Sequence, residues 1–402
     1  MRPPSRLCLG VVGLICGLYG LFAAGVYITY FSGHFAHDWM VYYGAARAFI
    51  DGNLPLVLDG NRFTAYLNEA FASRLPQTLS FHPWLYPPPF LLLLVPFGFL
   101  SFEAACALFL LTTFLLLVLV LWRTTGPGFR PWLHSLSLLL APATGFTIGS
   151  GQNGFLTAAL LVGGFGLLRR QPVFAGALLG LLTYKPQFWL LVPIALTAAR
   201  QWRAFASAVI AAAVMALLSL AVLGIEPWRV WIGWMIHPPA EAYRAWLVAG
   251  RLQGESLYTN LVLLGAPHAL ANFGQLIGLM VAGACVWWTY RRAVPADLQL
   301  ALLLAATMLA APHVGPYDAV LLVVAVTILF ARGVDEGFRP GELVVLALVW
   351  MAQLFNPPGA FPIGLITPGL TILLIAYTMV RARAALDFRP DLSGIVSPLP
   401  AQ

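Results

Sequence analysis

Charge is scarce in this chain: Asp, Glu, Lys and Arg make up 9% of 402 residues, against about 25% in a soluble domain. So little charge cannot cover a water-facing surface, so most of the surface must face lipid. Lysine is nearly absent, with Lys185 the only one among 22 cations. Cysteine is sparse too. Cys8, Cys16, Cys106 and Cys285 all lie in apolar runs, without CxxC or zinc spacing. That excludes a disulfide framework and reads as small core residues. The net charge of +7 does not imply nucleic acid, because the arginines stand at the ends of apolar runs, where they set membrane orientation. His34, His37 and His237 have no ligand spacing with one another or with an acid pair, so no metal and no other cofactor is expected. No fixed-period repeat is visible.

What fills the chain is apolar sequence: 60% of residues are hydrophobic. A helix needs about 20 apolar residues to cross a bilayer, fewer where protein lines it. Candidate spans are 7–31, 102–122, 133–148, 152–169, 173–184, 187–199, 203–224, 269–290, 298–311, 317–331, 342–355 and 362–380. The first is longer than the apolar core of a cleaved signal, so it reads as an anchor with its N-terminus inside. The expectation is an all-α polytopic membrane protein: one transmembrane domain over 1–384 and a flexible inner tail over 385–402. The segment 90–100, after Pro87-Pro88-Pro89, reads as either a further crossing or a re-entrant half-helix. With twelve spans alternating, the arginine pairs from Arg2/Arg6 to Arg381/Arg383 all fall inside. Two long connections, 32–88 and 225–268, then share the outer face. Their aromatics, among them Trp39, Trp84, Trp231 and Tyr258, predict interfacial helices near 42–50, 63–73 and 239–249.

The polar residues that remain collect on that same face. Asp38, just past the first span, can act as a general base or cap a helix beginning near Val41. Lys185, before Pro186 and Gln187, marks a turn between two short spans. There it can meet an anionic headgroup or merely snorkel to water. Gln152 and Asn153, after Ser150-Gly151, offer amides to sugar hydroxyls or close a tight turn. His313 can donate to a phosphate or move a proton, and Asp318 can bind substrate or cap the span it begins. Tyr42, Tyr43 and Tyr86 flank these groups. Together they suit transfer of an anionic, lipid-carried group to a hydroxyl.

The order of short motifs resembles glycosyltransferase family 87. The matching residues are Asp38, Tyr42, Tyr43, Ala45 and Ala46; then Gly52, Asn53, Pro55 and Leu56; then Tyr86, Pro87 and Pro88; then Gly151, Gln152 and Asn153; then Lys185, Pro186 and Gln187. The resemblance covers residues 1–330. It implies a GT-C fold with its active site on the outer face and a polyprenyl-phosphate sugar, such as the mannose donor, rather than a nucleotide sugar. It also implies that no metal is needed. It carries the family's acid onto Asp38.

The resulting expectation is an inverting transfer of a hexose, which the resemblance makes mannose, to a lipid or glycan hydroxyl. Asp38 would be the base. Lys185 and His313 would hold the donor phosphate, and Tyr42, Tyr43, Tyr86, Gln152, Asn153, Gln187 and Asp318 would contact donor or acceptor. The setting would be a bacterial inner membrane, with membrane lipids as further partners and no nucleic acid. Two other readings stay open. A lipid-linked-sugar flippase needs ionisable groups along a mid-membrane path and internal repeats. A glycan ligase needs more outer cations than Arg47, Arg62, Arg74, Arg229, Arg244 and Arg251 provide.

Overall fold

In the computed structural model the chain is described over residues 6–31, 36–75, 77–79, 81–124, 129–237, 254–352 and 366–387. These residues form helices and connecting turns, with no strand among them. In chain order the helices are α1 (Arg6–Phe31), α2 (His37–Ile50), α3 (Leu54–Leu58), α4 (Gly60–Ala70), α5 (Pro88–Leu94), α6 (Phe102–Thr124), α7 (Phe129–Leu140), α8 (Pro142–Ser150), α9 (Gly154–Leu167) and α10 (Pro172–Leu181). There follow α11 (Val192–Ala198), α12 (Trp202–Leu223), α13 (Glu226–Ile236), α14 (Leu257–Leu263), α15 (His268–Tyr290), α16 (Ala296–Ala310), α17 (Val320–Glu336), α18 (Glu342–Met351) and α19 (Ile366–Asp387).

Among the described residues, five helical stretches are long and apolar enough to cross a membrane alone: α6, α12, α15, the run 316–336 that contains α17, and α19. The lipid-facing side is visible on α12, where Ile210, Val214, Leu217 and Val222 are exposed. An apolar stripe of that kind has no place in water. Of the other expected spans, 7–31 corresponds to the long helix α1 and the rest to shorter helices. The run 133–148 is two helices, broken at Pro142, which opens α8 because it has no N–H to give to the preceding turn. The segment 90–100 is α5 followed by a 3₁₀ turn over Val95–Phe99. That is about 20 Å, too short to cross alone. It packs on α2, where Gly98 lies against Ala46 and Ile50. Short helices are found at α2 and α4, where the first long connection was expected to form them; α4 is capped by Asp59, which accepts from the Asn61 and Arg62 N–H groups. The expected helix at 239–249 and the tail beyond 387 lie outside the described residues, as do His34, Arg244 and Arg251. Cys16, Cys106 and Cys285 are free thiols in apolar surroundings.

The short helices explain where polar groups collect. Helices α8, α10 and α16 end, and α9 and the turn before α17 begin, at one level inside the bundle. A Cβ on Gly154, at the start of α9, would sit 2.2 Å from the Tyr317 carbonyl oxygen, so only glycine permits that approach. Thr147 of α8 donates to the same carbonyl at 3.2 Å. Helix α10 runs parallel to α12, with Gly176 against Ala204 and Gly180 against Ala208. Extending that register puts Lys185 level with the middle of α12, roughly 15 Å below its Leu223 end. The polar level is thus sunk into the apolar bundle, not spread on its surface.

The far end is held by charge. Arg381, nearly buried, meets the fully buried Glu342 at 2.5 and 2.7 Å, with Glu336 at 3.1 Å. Arg332 forks onto Asp297 at 2.7 and 2.9 Å. These pairs tie α16, α17, α18 and α19 together at the end opposite Asp318.

Candidate active site

Asp38 stands in the first turn of α2, one residue inside the helix, and does not cap it. The cap position is Ala36, in the left-handed region at φ 59°, with no side-chain cap. The Ala36 N–H donates to the Gly149 carbonyl at 2.7 Å, which fixes the start of α2 against α8. The Asp38 carboxylate is half-buried. Its Oδ2 accepts from Gln152 Nε2 at 2.9 Å. No other described residue hydrogen-bonds to this carboxylate, so Oδ1 keeps its accepting capacity.

Gln152 and Asn153 do more than close a turn. Asn153 holds the cap position of α9, yet its side chain does not cap the helix. Its Nδ2 donates instead to the Tyr42 hydroxyl at 2.9 Å and the Tyr86 hydroxyl at 3.0 Å. Tyr42 donates to Gln152 Oε1 at 2.6 Å, and the two tyrosine hydroxyls lie 2.6 Å apart. Burial pushes both phenols above the usual tyrosine range, so each keeps its proton as a donor. The rings are fixed by Phe90, which meets Tyr86 at 4.6 Å and Tyr42 at 5.3 Å between centroids.

Lys185 closes the row. It is 3% exposed, which rules out snorkelling to water. Its Nζ donates to Asn153 Oδ1 at 3.0 Å and to Asp318 Oδ1 at 2.5 Å. The ammonium also lies 4.8 Å from the Phe188 ring centre and 5.0 Å from that of Tyr317. Asp318 spends its second oxygen on the Gly315 N–H at 3.1 Å. Of the two carboxylates in the row, Asp318 is therefore fully committed and Asp38 is not.

Two expected residues stand beside the row. Gln187, half-buried on the turn after Lys185, makes no hydrogen bond to a described residue. His313 lies on the loop before Asp318, open to the surface, and its ring donates to the Pro312 carbonyl. Surrounding protein pushes this imidazole down to about 4. Near neutral pH it carries no positive charge, and its one N–H is taken by the Pro312 carbonyl. Tyr43 is not brought in. It points to the other side of α2, where its hydroxyl donates to the Leu100 carbonyl at 2.8 Å.

Three further neighbours lie outside the motifs of the family resemblance. Glu255 is buried at 3% exposure and its backbone N–H donates to the Val314 carbonyl at 2.9 Å, so a second-loop acid packs on the His313 loop. His37 and His82 meet edge to face at 5.3 Å beside Asp38. Desolvation, then His37, lowers the His82 pKa. Their separations in sequence, and Glu255's lack of a motif, hide them. No group of three His, Cys, Asp or Glu among the described residues is placed to hold a metal ion.

Next to the row runs a shallow apolar groove. Leu54, Val57, Trp84, Leu91, Val230 and Trp231 line it, so it joins the first outer loop to α13. Trp84 also packs on Tyr86 at 5.7 Å, which makes the groove and the polar row neighbours.

The model of glycosyltransferase family 87 matches residues 84–312, more than half of the chain. The match takes in Tyr86, Gln152, Asn153, Lys185 and Gln187; Asp38, His313 and Asp318 lie outside it. No curated protein and no solved structure matches the chain.

Proposed function

The chain belongs to glycosyltransferase family 87, and on that premise we propose that it moves a hexose, mannose in the first instance, from a polyprenyl-phosphate sugar to a lipid or glycan hydroxyl. The observation that carries this reading is the asymmetry of the two carboxylates. Asp318 is neutralised by Lys185, whereas Asp38 has one oxygen held by Gln152 and the other unspent.

The chemistry follows from that. An acceptor hydroxyl hydrogen-bonds to Asp38 Oδ1. As its oxygen forms a bond to the anomeric carbon, its proton passes to the carboxylate. The bond from the anomeric carbon to the phosphate oxygen breaks, and the electron pair leaves with the polyprenyl phosphate. One displacement inverts the anomeric centre. Lys185 has three N–H donors and spends two on protein acceptors, so one is left to face the developing phosphate charge. Gln187, which makes no hydrogen bond to a described residue, can contact the sugar. The apolar groove beside Trp84 suits the donor's isoprenoid chain. In this reading the protein sits in a bacterial inner membrane, with the site opening to the outer side and the arginine clusters inside.

The product's anomeric configuration tests the proposal. Supplied with a polyprenyl-phosphate sugar of known configuration and an acceptor lipid extract, the purified protein is expected to release polyprenyl phosphate and form the opposite anomer. Retention would demand a covalent intermediate and would remove single displacement. Movement of the lipid-linked sugar across the bilayer without transfer would favour a flippase.

A further inference from the structure

The polar row has a direction. At one end stands an ammonium, which can only donate; at the other a carboxylate, which can only accept. Between them lie two amides and a hydroxyl whose orientation is not fixed by shape, because an amide fits nearly as well when its oxygen and nitrogen change places. The two ends decide. Lys185 Nζ at 3.0 Å obliges Asn153 to present Oδ1. Asn153 Nδ2 must then face the tyrosines, and does, at 2.9 and 3.0 Å. The Tyr42 hydroxyl, accepting from Asn153, sends its own proton onward to Gln152 Oε1 at 2.6 Å. The Asn153 backbone N–H adds a second, longer donor to that oxygen at 3.3 Å. Gln152 is left with its Nε2 toward Asp38 Oδ2 at 2.9 Å. A reversed Gln152 would set a carbonyl oxygen against the carboxylate.

We propose that Lys185, acting through Asn153, Tyr42 and Gln152, sets the direction of this hydrogen-bond row and so holds the Asp38 carboxylate in the orientation that leaves Oδ1 open to an acceptor hydroxyl. Lys185 is then a positioning residue for Asp38 in addition to any contact with the donor phosphate. This rests on the reading of Asp38 as the base. It assigns to Tyr42 a part that neither charge nor substrate contact predicts: its hydroxyl is the link through which the lysine end reaches the amide that touches Asp38. Tyr86 stands beside the row, not in it, since its hydroxyl meets Tyr42 and Asn153 but not Gln152.

The test uses infrared spectroscopy of the full chain in lipid nanodiscs, with carbon-13 in the aspartate carboxylates. The Asp38 bands are assigned by their loss in Asp38→Asn. Tyr42→Phe keeps the ring and all charges, so it should fold. The charge-neutral double variant Lys185→Met/Asp318→Asn removes the lysine end without stranding a buried acid. Both are expected to move the Asp38 carboxylate bands in the same direction as Gln152→Leu. Tyr42→Phe is further expected to lower kcat for transfer from polyprenyl-phosphate-mannose by up to about tenfold, the size of one lost hydrogen bond, with donor KM little changed. Unmoved bands in both Tyr42→Phe and the double variant would overturn the proposal. So would a shift seen when lysine is removed but absent in Tyr42→Phe, because that is a direct effect of charge. If the bands move as expected but Asp38→Asn retains full transfer, the row is supported and the base assignment is what fails.

Discussion

Asp38→Asn is expected to lower kcat for sugar transfer by about 10²–10⁴-fold, the range for losing a positioned general base. Asparagine matches aspartate in shape, and its carbonyl oxygen can still accept from Gln152 Nε2, so α2 and its contact with α8 should be unaffected. What asparagine cannot do is take the proton of an attacking hydroxyl. Donor KM should therefore stay close to wild type, because the lost interaction is made only in the transition state. Initial rates in proteoliposomes over a range of polyprenyl-phosphate-mannose concentrations separate the two constants. A variant with near wild-type kcat would show that the open carboxylate oxygen is not used.

The second large effect is on the fold. Lys185 and Asp318 form a pair whose side chains are 4% and 1% exposed. Lys185→Met leaves an uncompensated carboxylate at the meeting point of α9, α10 and α17, and removing one partner of a buried pair costs about 3–5 kcal/mol. Replacing both, as Lys185→Met/Asp318→Asn, removes the stranded charge and should recover most of that loss, because such neighbours are strongly non-additive. Unfolding in mixed micelles of the two single variants and the double variant measures the coupling. A double variant as unstable as the sum of the singles would mean that the two charges do not depend on each other.

Much of this site was legible in the sequence because a bilayer makes polar residues conspicuous. Gln152, Asn153 and Lys185 interrupt apolar sequence, Asp38 and Asp318 stand at the edge of an apolar run, and the structure brings all five into one row. Their order in that row was not legible. Nothing local says that Asn153 turns away from the helix it precedes, or that Asp318 is consumed by a lysine 133 positions earlier. Tyr43 shows the opposite error. It is adjacent to Tyr42, but successive residues on a helix point about 100° apart, and Tyr43 spends its hydroxyl on Leu100. The fold was readable as apolar helices and interfacial segments. Hydropathy counts apolar residues and cannot tell a short helix ending at a buried polar level from a full crossing, so the depth of the site came only from helix contacts such as Gly154 against Tyr317.

The proposed function requires this glycosyltransferase to take its sugar from a lipid phosphate and not from a nucleotide. The most direct measurement gives the purified wild-type protein, in proteoliposomes with an acceptor lipid extract and EDTA, either radiolabelled polyprenyl-phosphate-mannose or the corresponding nucleotide sugar. The account predicts labelled glycolipid from the first and none from the second. Label transferred from the nucleotide sugar, or from the lipid phosphate only when divalent cation is restored, would contradict it.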